Sequence, residues 1–293
     1  MTENDHLVEQ FEAHRSHLRA VGYRMLGSLG EADDAVQEAW LRLSRADVSD
    51  VENLGGWLTT VTSRVCLNML RTRRSRHEES LDVHLPDPVV DPADGVDPEH
   101  EALVADSVGL ALLVVLDTLE PAERLAFVLH DMFAVPFDQI ATIVERSPAA
   151  TRQLASRARR RVRQSAPAPD ADLARQREVV DAFFAASGSG DFDALVAVLD
   201  PDVVLRSDGG LARVSATTVI RGGTTVAENA LTFGQLAPFV RPALINAAAG
   251  VVVAPRGRPV SVMAFTVRHG QIVAIDVLAD PDRLQQLGLT SWT

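Results

Sequence analysis

The sequence predicts two all-α domains followed by an α+β domain, and three observations carry that expectation. Apolar residues recur at helical spacing over 7–76, where proline is absent, and a helical pattern returns over 101–163. Two proline-bearing segments, 77–100 and 164–172, interrupt the pattern. Beyond 173 the period changes: two helical stretches precede runs such as VSATTVI, GVVVAP, VSVMAFTV and QIVAIDVL, separated by glycine turns. The expected organisation is therefore 7–76, an acidic linker 77–100, 101–163, a short linker 164–172, and 173–293.

Length and composition agree. The chain has 293 residues, 46% hydrophobic and 23% charged, a globular balance with room for two or three compact cores. No apolar run approaches the ~20 residues needed to span a bilayer. The acidic start MTENDHLVEQ lacks a signal-peptide layout, and the single cysteine, Cys66, has no internal partner for a disulfide. These features favour a cytoplasmic protein without membrane association.

Net charge is −12, which taken alone argues against nucleic acid. Its distribution reverses the argument. Residues 55–76 hold five arginines and no acid, and residues 146–163 hold seven arginines and no acid. Between them, 77–100 hold eight acids, no arginine and four prolines. Segregated charge of this kind is an electrostatic footprint for phosphates. The acidic linker is expected to stay disordered, having little apolar surface to bury.

Within the first helical block, DDAVQEAWLRL over 33–43 places Val36, Ala39, Trp40 and Leu43 on one helical face. Asp34, Gln37, Glu38 and Leu41 fall on the other. By pattern alone, a solvated face with one stray leucine and a docking surface both fit. In the next motif, GGWLTTVTSRVCLNMLRTRRSR over 55–76, a broad apolar surface ends in arginines. Helix capping explains some of them, but four within six residues exceed what capping requires and can neutralise several phosphates. Cys66 reads as packing, because no His/Asp constellation accompanies it.

The sharpest local signal is FDQIATIVERSPAATRQLASRARRRVR over 137–163. Phe137, Ile140, Ala141 and Val144 form a first short helix. Ser147 is a fitting N-cap and Pro148 a first helical residue. On the second helix, Leu154, Ala158 and Val162 face inward. Arg152, Ser156, Arg159 and Arg163 face outward, with Gln153 and Arg160 at the edge. Two short helices, a tight turn and an outward basic face describe a helix-turn-helix.

These three motifs in this order, the last extended upstream to PAERLAFVLHDMFAVP, resemble an extracytoplasmic-function sigma factor of RNA polymerase over residues ~7–163. The resemblance implies that Asp34, Gln37, Glu38, Leu41 and Arg42 belong to a region 2 helical bundle and dock on the β′ clamp helices of core polymerase. It implies that Trp57, Arg64, Arg71, Arg73, Arg74 and Arg76 melt and read the −10 element. It implies that the region 4 helix-turn-helix reads the −35 element of promoter DNA through Arg152, Gln153, Ser156, Arg157, Arg159, Arg160 and Arg163. Trp57 equally fits a core position.

Residues 173–293 resemble the SnoaL-like, NTF2-like domain carried by one subgroup of these factors. Asp208, Gly209 and Gly210 match a DGGG motif in which Leu211 replaces the third glycine. Asp280, Pro281, Asp282, Arg283 and Leu284 match an NPDKL motif with two changes. The implied role is a regulatory contact, expected here to pack on the region 2 helices. Ser165 to Asp170 match the subgroup's linker motif poorly. An alternative is a DNA-binding module fused to a domain that binds or converts a small molecule, with Asp208 and Asp276 as candidate pocket acids. His269, in an expected hairpin turn, is an unsuitable catalyst. No catalytic residue, metal ligand set or cofactor is expected, and a small-molecule ligand in the C-terminal domain stays open.

Overall fold

The computed structural model describes residues 3–46, 51–76, 83–95, 97, 100–104, 109–165 and 169–289. The chain divides into two compact units: Met1–Ser80 with Leu113–Ser165, and Leu81–Leu112 with Ala166–Thr293.

In the first unit, α1 (Glu3–Leu26), α2 (Leu29–Leu43) and α3 (Leu54–Arg76) pack on one another. Phe11, Leu18, Val36, Leu43 and Leu58 form their buried core, with Trp40 and Trp57 packed against it. Gly22 lets α1 and α2 approach: a Cβ there would sit 3.1 Å from Ala32. Ser28 caps α2, its Oγ accepting from the Glu31 N–H. The short α4 (Glu101–Val104) belongs to the second unit, and the remaining helices of the first are most of α5 (Leu110–Asp117), α6 (Pro121–Phe127), which continues as a wider π turn to Met132, α7 (Phe137–Val144) and α8 (Pro148–Ser165). Glu145 takes a left-handed conformation at the end of α7, and Ser147 Oγ accepts from the Ala150 N–H, making the tight turn expected between them.

Both helical groups belong to this one unit because polar and aromatic groups bind them together. Arg124 of α6 is 1% exposed. Its Nε donates to the Arg24 carbonyl at 3.2 Å and its Nη1 to Asp117 at 2.8 Å. The Arg24 guanidinium lies 5.0 Å over the Phe133 ring, and His17 meets that ring edge-on. Burial lowers the pKa of both Arg124 and His17.

The second unit is α+β. A seven-stranded sheet runs β1-β4-β5-β6-β7-β2-β3, from β1 (Val90–Pro92), β2 (Leu199–Asp208), β3 (Thr218–Arg221), β4 (Val240–Ile245), β5 (Ala248–Val253), β6 (Ser261–Arg268) and β7 (Gln271–Leu278). All pairs are antiparallel except β2 with β7. Helices α9 (Leu173–Ser189), α10 (Phe192–Val198) and α11 (Gly223–Thr232) close one apolar core with the sheet, including Phe183, Leu195, Val226, Val251 and Phe265. The run VSATTVI is only partly strand: its first half belongs to a 3₁₀ turn, Leu211–Ala216. His269 sits at positive φ in the β6–β7 hairpin turn, as expected, and the Asp170 carboxylate accepts from the His269 and Gly270 N–H groups.

The linker departs from expectation. Disorder was predicted for 77–100; residues 77–82 lie outside those described, but 83–95 are ordered on the second unit. The physical reason is that the sheet supplies what the segment lacks. Strand β1 pairs with the edge of β4, and Leu85 and Val89 are buried. Asn246 closes a two-way bond with Val89, accepting from its N–H at 3.1 Å and donating its own N–H to the carbonyl. Arg177 of α9 donates to the Ala93 carbonyl.

Candidate nucleic-acid interface

Helix α2 presents the face read from its sequence. Ala35, Val36, Ala39 and Leu43 are buried, while Asp34, Gln37 and Arg42 are exposed and Glu38 is half-buried. Leu41 stands among them at 38% exposure, one of few large apolar side chains so exposed among the described residues. Arg42 pairs with Glu38 at 2.9 Å one turn away, which orders the rim of this surface.

On α3, Arg64, Arg71 and Arg74 are exposed. Arg73 is half-buried; it pairs with Glu31 and donates to the Leu26 carbonyl at 3.2 Å, tying α3 to the end of α1. Arg74 pairs with Glu120. The Arg76 side chain lies outside the described residues. Trp57 is half-buried against the three-helix core, so packing claims most of it. Cys66 is buried, and burial pushes its thiol up to about 12, consistent with an inert packing residue.

On α8, Leu154, Ala155 and Ala158 point inward. Arg152, Gln153, Ser156, Arg157, Arg160 and Arg163 are exposed and Arg159 is half-buried. Arg152 lies 5.6 Å over the Phe137 ring. The seven arginines are not as unbalanced as the local sequence suggests. Arg157 and Arg161 approach Glu123 at 3.6 and 3.4 Å, and Arg159 pairs with Asp131 at 2.5 Å. These acids come from the preceding helices, 28 or more residues away, and no local window could place them.

The two basic surfaces share a cleft of about 730 Å³. Arg71 and Arg74 of α3 line one part, Arg146, Gln153 and Arg157 another, with Glu120 and Glu123 among them. A recognition helix must enter a major groove roughly 12 Å wide. Here its Gln153–Arg157 edge instead faces a cleft shared with other side chains.

In the second unit, the two sequence motifs meet. A Cβ on Gly210, which has positive φ, would lie 2.0 Å from the Asp280 carboxylate, so only glycine fits. Asp280 caps α12 (Pro281–Gln286), accepting from the Asp282 and Arg283 N–H groups. Leu284 is buried and Asp282 exposed. Asp208, 3% exposed, accepts from Arg283 at 2.8 Å and from the Leu85 N–H at 2.9 Å. Arg283 also donates to the Leu85 carbonyl at 2.6 Å and to Asp87 at 2.5 and 3.0 Å.

Asp208 and Arg283, expected as a regulatory contact for the region 2 helices, hold the linker within the second unit, at His84-Leu85-Pro86-Asp87. The buried carboxylate and guanidinium need partners with matching geometry, and the linker supplies a carboxylate, a carbonyl and an N–H in three residues. No local signal in the sequence joins Leu85 and Asp87 to residues 123 and 196 positions away. Asp276 is likewise no pocket acid. It is buried against Arg206 at 2.9 Å, and burial raises its pKa while Arg206 opposes the shift.

Comparison with known proteins accounts for the whole arrangement. The chain matches the family Sigma-70 region 2 over residues 10–76 and Sigma-70, region 4 over 109–162. It is 39% identical to the ECF RNA polymerase sigma factor SigJ of Mycobacterium tuberculosis, over 94% of this chain and 92% of that protein. It is 38% identical to the probable ECF RNA polymerase sigma factor SigI of the same species, over 98% of both. The crystal structure of Mycobacterium tuberculosis SigJ matches with a TM-score of 0.77 at 37% identity, covering 95% of this chain and 98% of that one. With both sigma regions matched and near full-length relatives in hand, this chain belongs to the ECF RNA polymerase sigma factor family.

Proposed function

We propose that this sigma factor docks on core RNA polymerase through the Asp34–Arg42 face of α2, and reads promoter DNA with the arginine ends of α3 and the outward face of α8. The protein acts by binding, not as an enzyme. Phosphate contacts by arginine position it, and a few base contacts specify the sequence. Gln153 and Arg157, near the start of α8, are placed for base edges; Arg160 and Arg163, further along, are placed for backbone phosphate. DNA in the cytoplasm is the site of action.

The observation that carries this reading is the cleft in which Arg71, Arg74, Gln153 and Arg157 meet. Two surfaces built for one long promoter cannot both use it while they face each other, so binding requires the two helical groups to separate. The chain between them is the linker, and the latch at Asp208 and Arg283 ties that linker to the C-terminal domain. The C-terminal domain therefore regulates activity by restraining the span that opening needs.

In vitro transcription with core polymerase tests this, comparing the full chain with one ending at Arg163. The shortened chain should keep promoter choice and change in activity. Unchanged activity would remove the regulatory role, and absence of initiation by both chains on every promoter would remove the larger reading.

A further inference from the structure

A cavity of about 300 Å³ opens into the C-terminal domain, at the small end of the range for ligand pockets. Phe183, Phe184, Leu205, Val253 and Met263 give it apolar walls. Phe233, also in its lining, is 57% exposed. Ser207, Thr218 and Asn229 add neutral hydrogen-bonding groups. Among the described residues no Asp, Glu or His lines it, so none of them offers a general acid or base to a bound molecule. Arg213 is the one charged lining residue; it is exposed and forms no ion pair among the described residues. An apolar chamber with a single available guanidinium suits an apolar molecule with one anionic end.

The segment that carries Arg213 also touches the linker latch. A Cβ on Gly209 would lie 2.3 Å from the Arg213 carbonyl oxygen and 2.8 Å from the Ala216 Cβ. The Gly209 N–H donates to Thr217 Oγ1 at 3.1 Å. Gly209 directly follows Asp208, whose carboxylate takes the Leu85 N–H and the Arg283 guanidinium. One tight backbone junction thus joins the cavity wall to the latch.

We propose that the cavity binds a compact monoanionic amphiphile, an apolar body ending in one carboxylate, and that its occupancy tightens the hold on the linker. The carboxylate pairs with Arg213 and anchors the 211–216 turn. The anchored turn fixes Gly209 and, through it, Asp208. Linkage then requires that release of the linker weaken carboxylate binding by the same factor. The regulatory meaning rests on the reading of the latch given above; binding and coupling do not.

The test uses the full chain, with decanoate and its neutral counterpart decanamide as probes. Calorimetry should show decanoate binding at one site, at least tenfold tighter than decanamide. Arg213→Gln, on an exposed side chain, should bring the two together, and Met263→Trp should abolish both by filling the chamber. Hydrogen exchange over 83–92 should slow several-fold with decanoate and not with decanamide. Equal affinities in the unaltered chain, or decanoate binding untouched by Arg213→Gln, would overturn the site. Decanoate binding at one site with unchanged exchange over 83–92 would overturn the coupling and leave the transcriptional reading standing.

Discussion

Replacing Arg283 should release the linker. Its side chain is 14% exposed and spans the buried Asp208 carboxylate and the half-buried Asp87 carboxylate, while also holding the Leu85 carbonyl. Arg283→Ala removes every one of these bonds and takes the guanidinium away from both carboxylates. Breaking a buried charge pair by removing one partner costs roughly 3–5 kcal/mol. That cost falls on the docked linker alone, since Asp208 regains water once Leu85 leaves. At about 1.4 kcal/mol per factor of ten, docking should weaken by roughly two to three orders of magnitude. Two amides report it directly: Leu85 N–H, bonded to Asp208, and Val89 N–H, bonded to Asn246. Hydrogen exchange in the full chain should accelerate at both, while amides of β6 and β7 keep their protection. Arg283→Lys should recover only part of the effect, because an ammonium cannot reproduce the fork to Asp87 and Asp208. Unchanged exchange at Leu85 and Val89 in Arg283→Ala would refute the latch. Accelerated exchange throughout the sheet would mean that the residue serves the fold and not the linker.

Leu41→Asp should abolish co-purification with core polymerase and leave the circular dichroism spectrum unchanged, since the residue is 38% exposed and is not a member of the buried core; normal co-purification would refute its place in the interface. Gln153 and Arg157 substitutions should shift −35 sequence preference by roughly 1–3 kcal/mol per lost base contact. Arg160 and Arg163 substitutions should instead weaken all promoters alike and flatten the salt slope, and identical selection profiles for all four variants would defeat that division. Cys66, its thiol pushed up to about 12, should resist iodoacetamide at pH 8 in the folded chain and react once urea unfolds it. Arg206→Gln should destabilise the C-terminal domain toward the lower end of roughly 3–5 kcal/mol, since Arg206 keeps some exposure. The folded domain already holds the Asp276 proton more tightly than the unfolded chain, and losing Arg206 raises that pKa further. Stability from this group therefore grows as pH falls through the raised value, so urea midpoints should show the defect shrinking as pH is lowered from the alkaline side.

The helical blocks, the helix-turn-helix and the exposed face of α2 were legible in sequence because their signals are local. Helical period sorts Val36 from Leu41, and Ser147-Pro148 marks where α8 begins, without any knowledge of distant residues. The α+β character of the last domain was legible for the same reason, although the glycine-led helix α11 and the half-helical VSATTVI run were not. What tertiary structure decided is pairing between residues far apart in the chain. Arg73 and Arg74 read as unopposed cations within their own stretch of sequence, whereas Glu31 and Glu120 lie against them in the fold. Residues 83–95 looked disordered because their own composition buries little. The edge of β4, Asn246, Asp208 and Arg283 supply the missing hydrogen bonds from more than 120 residues away. A local pattern records which face a residue takes; it does not record which charge will meet it there, because that is set by the packing of the whole chain.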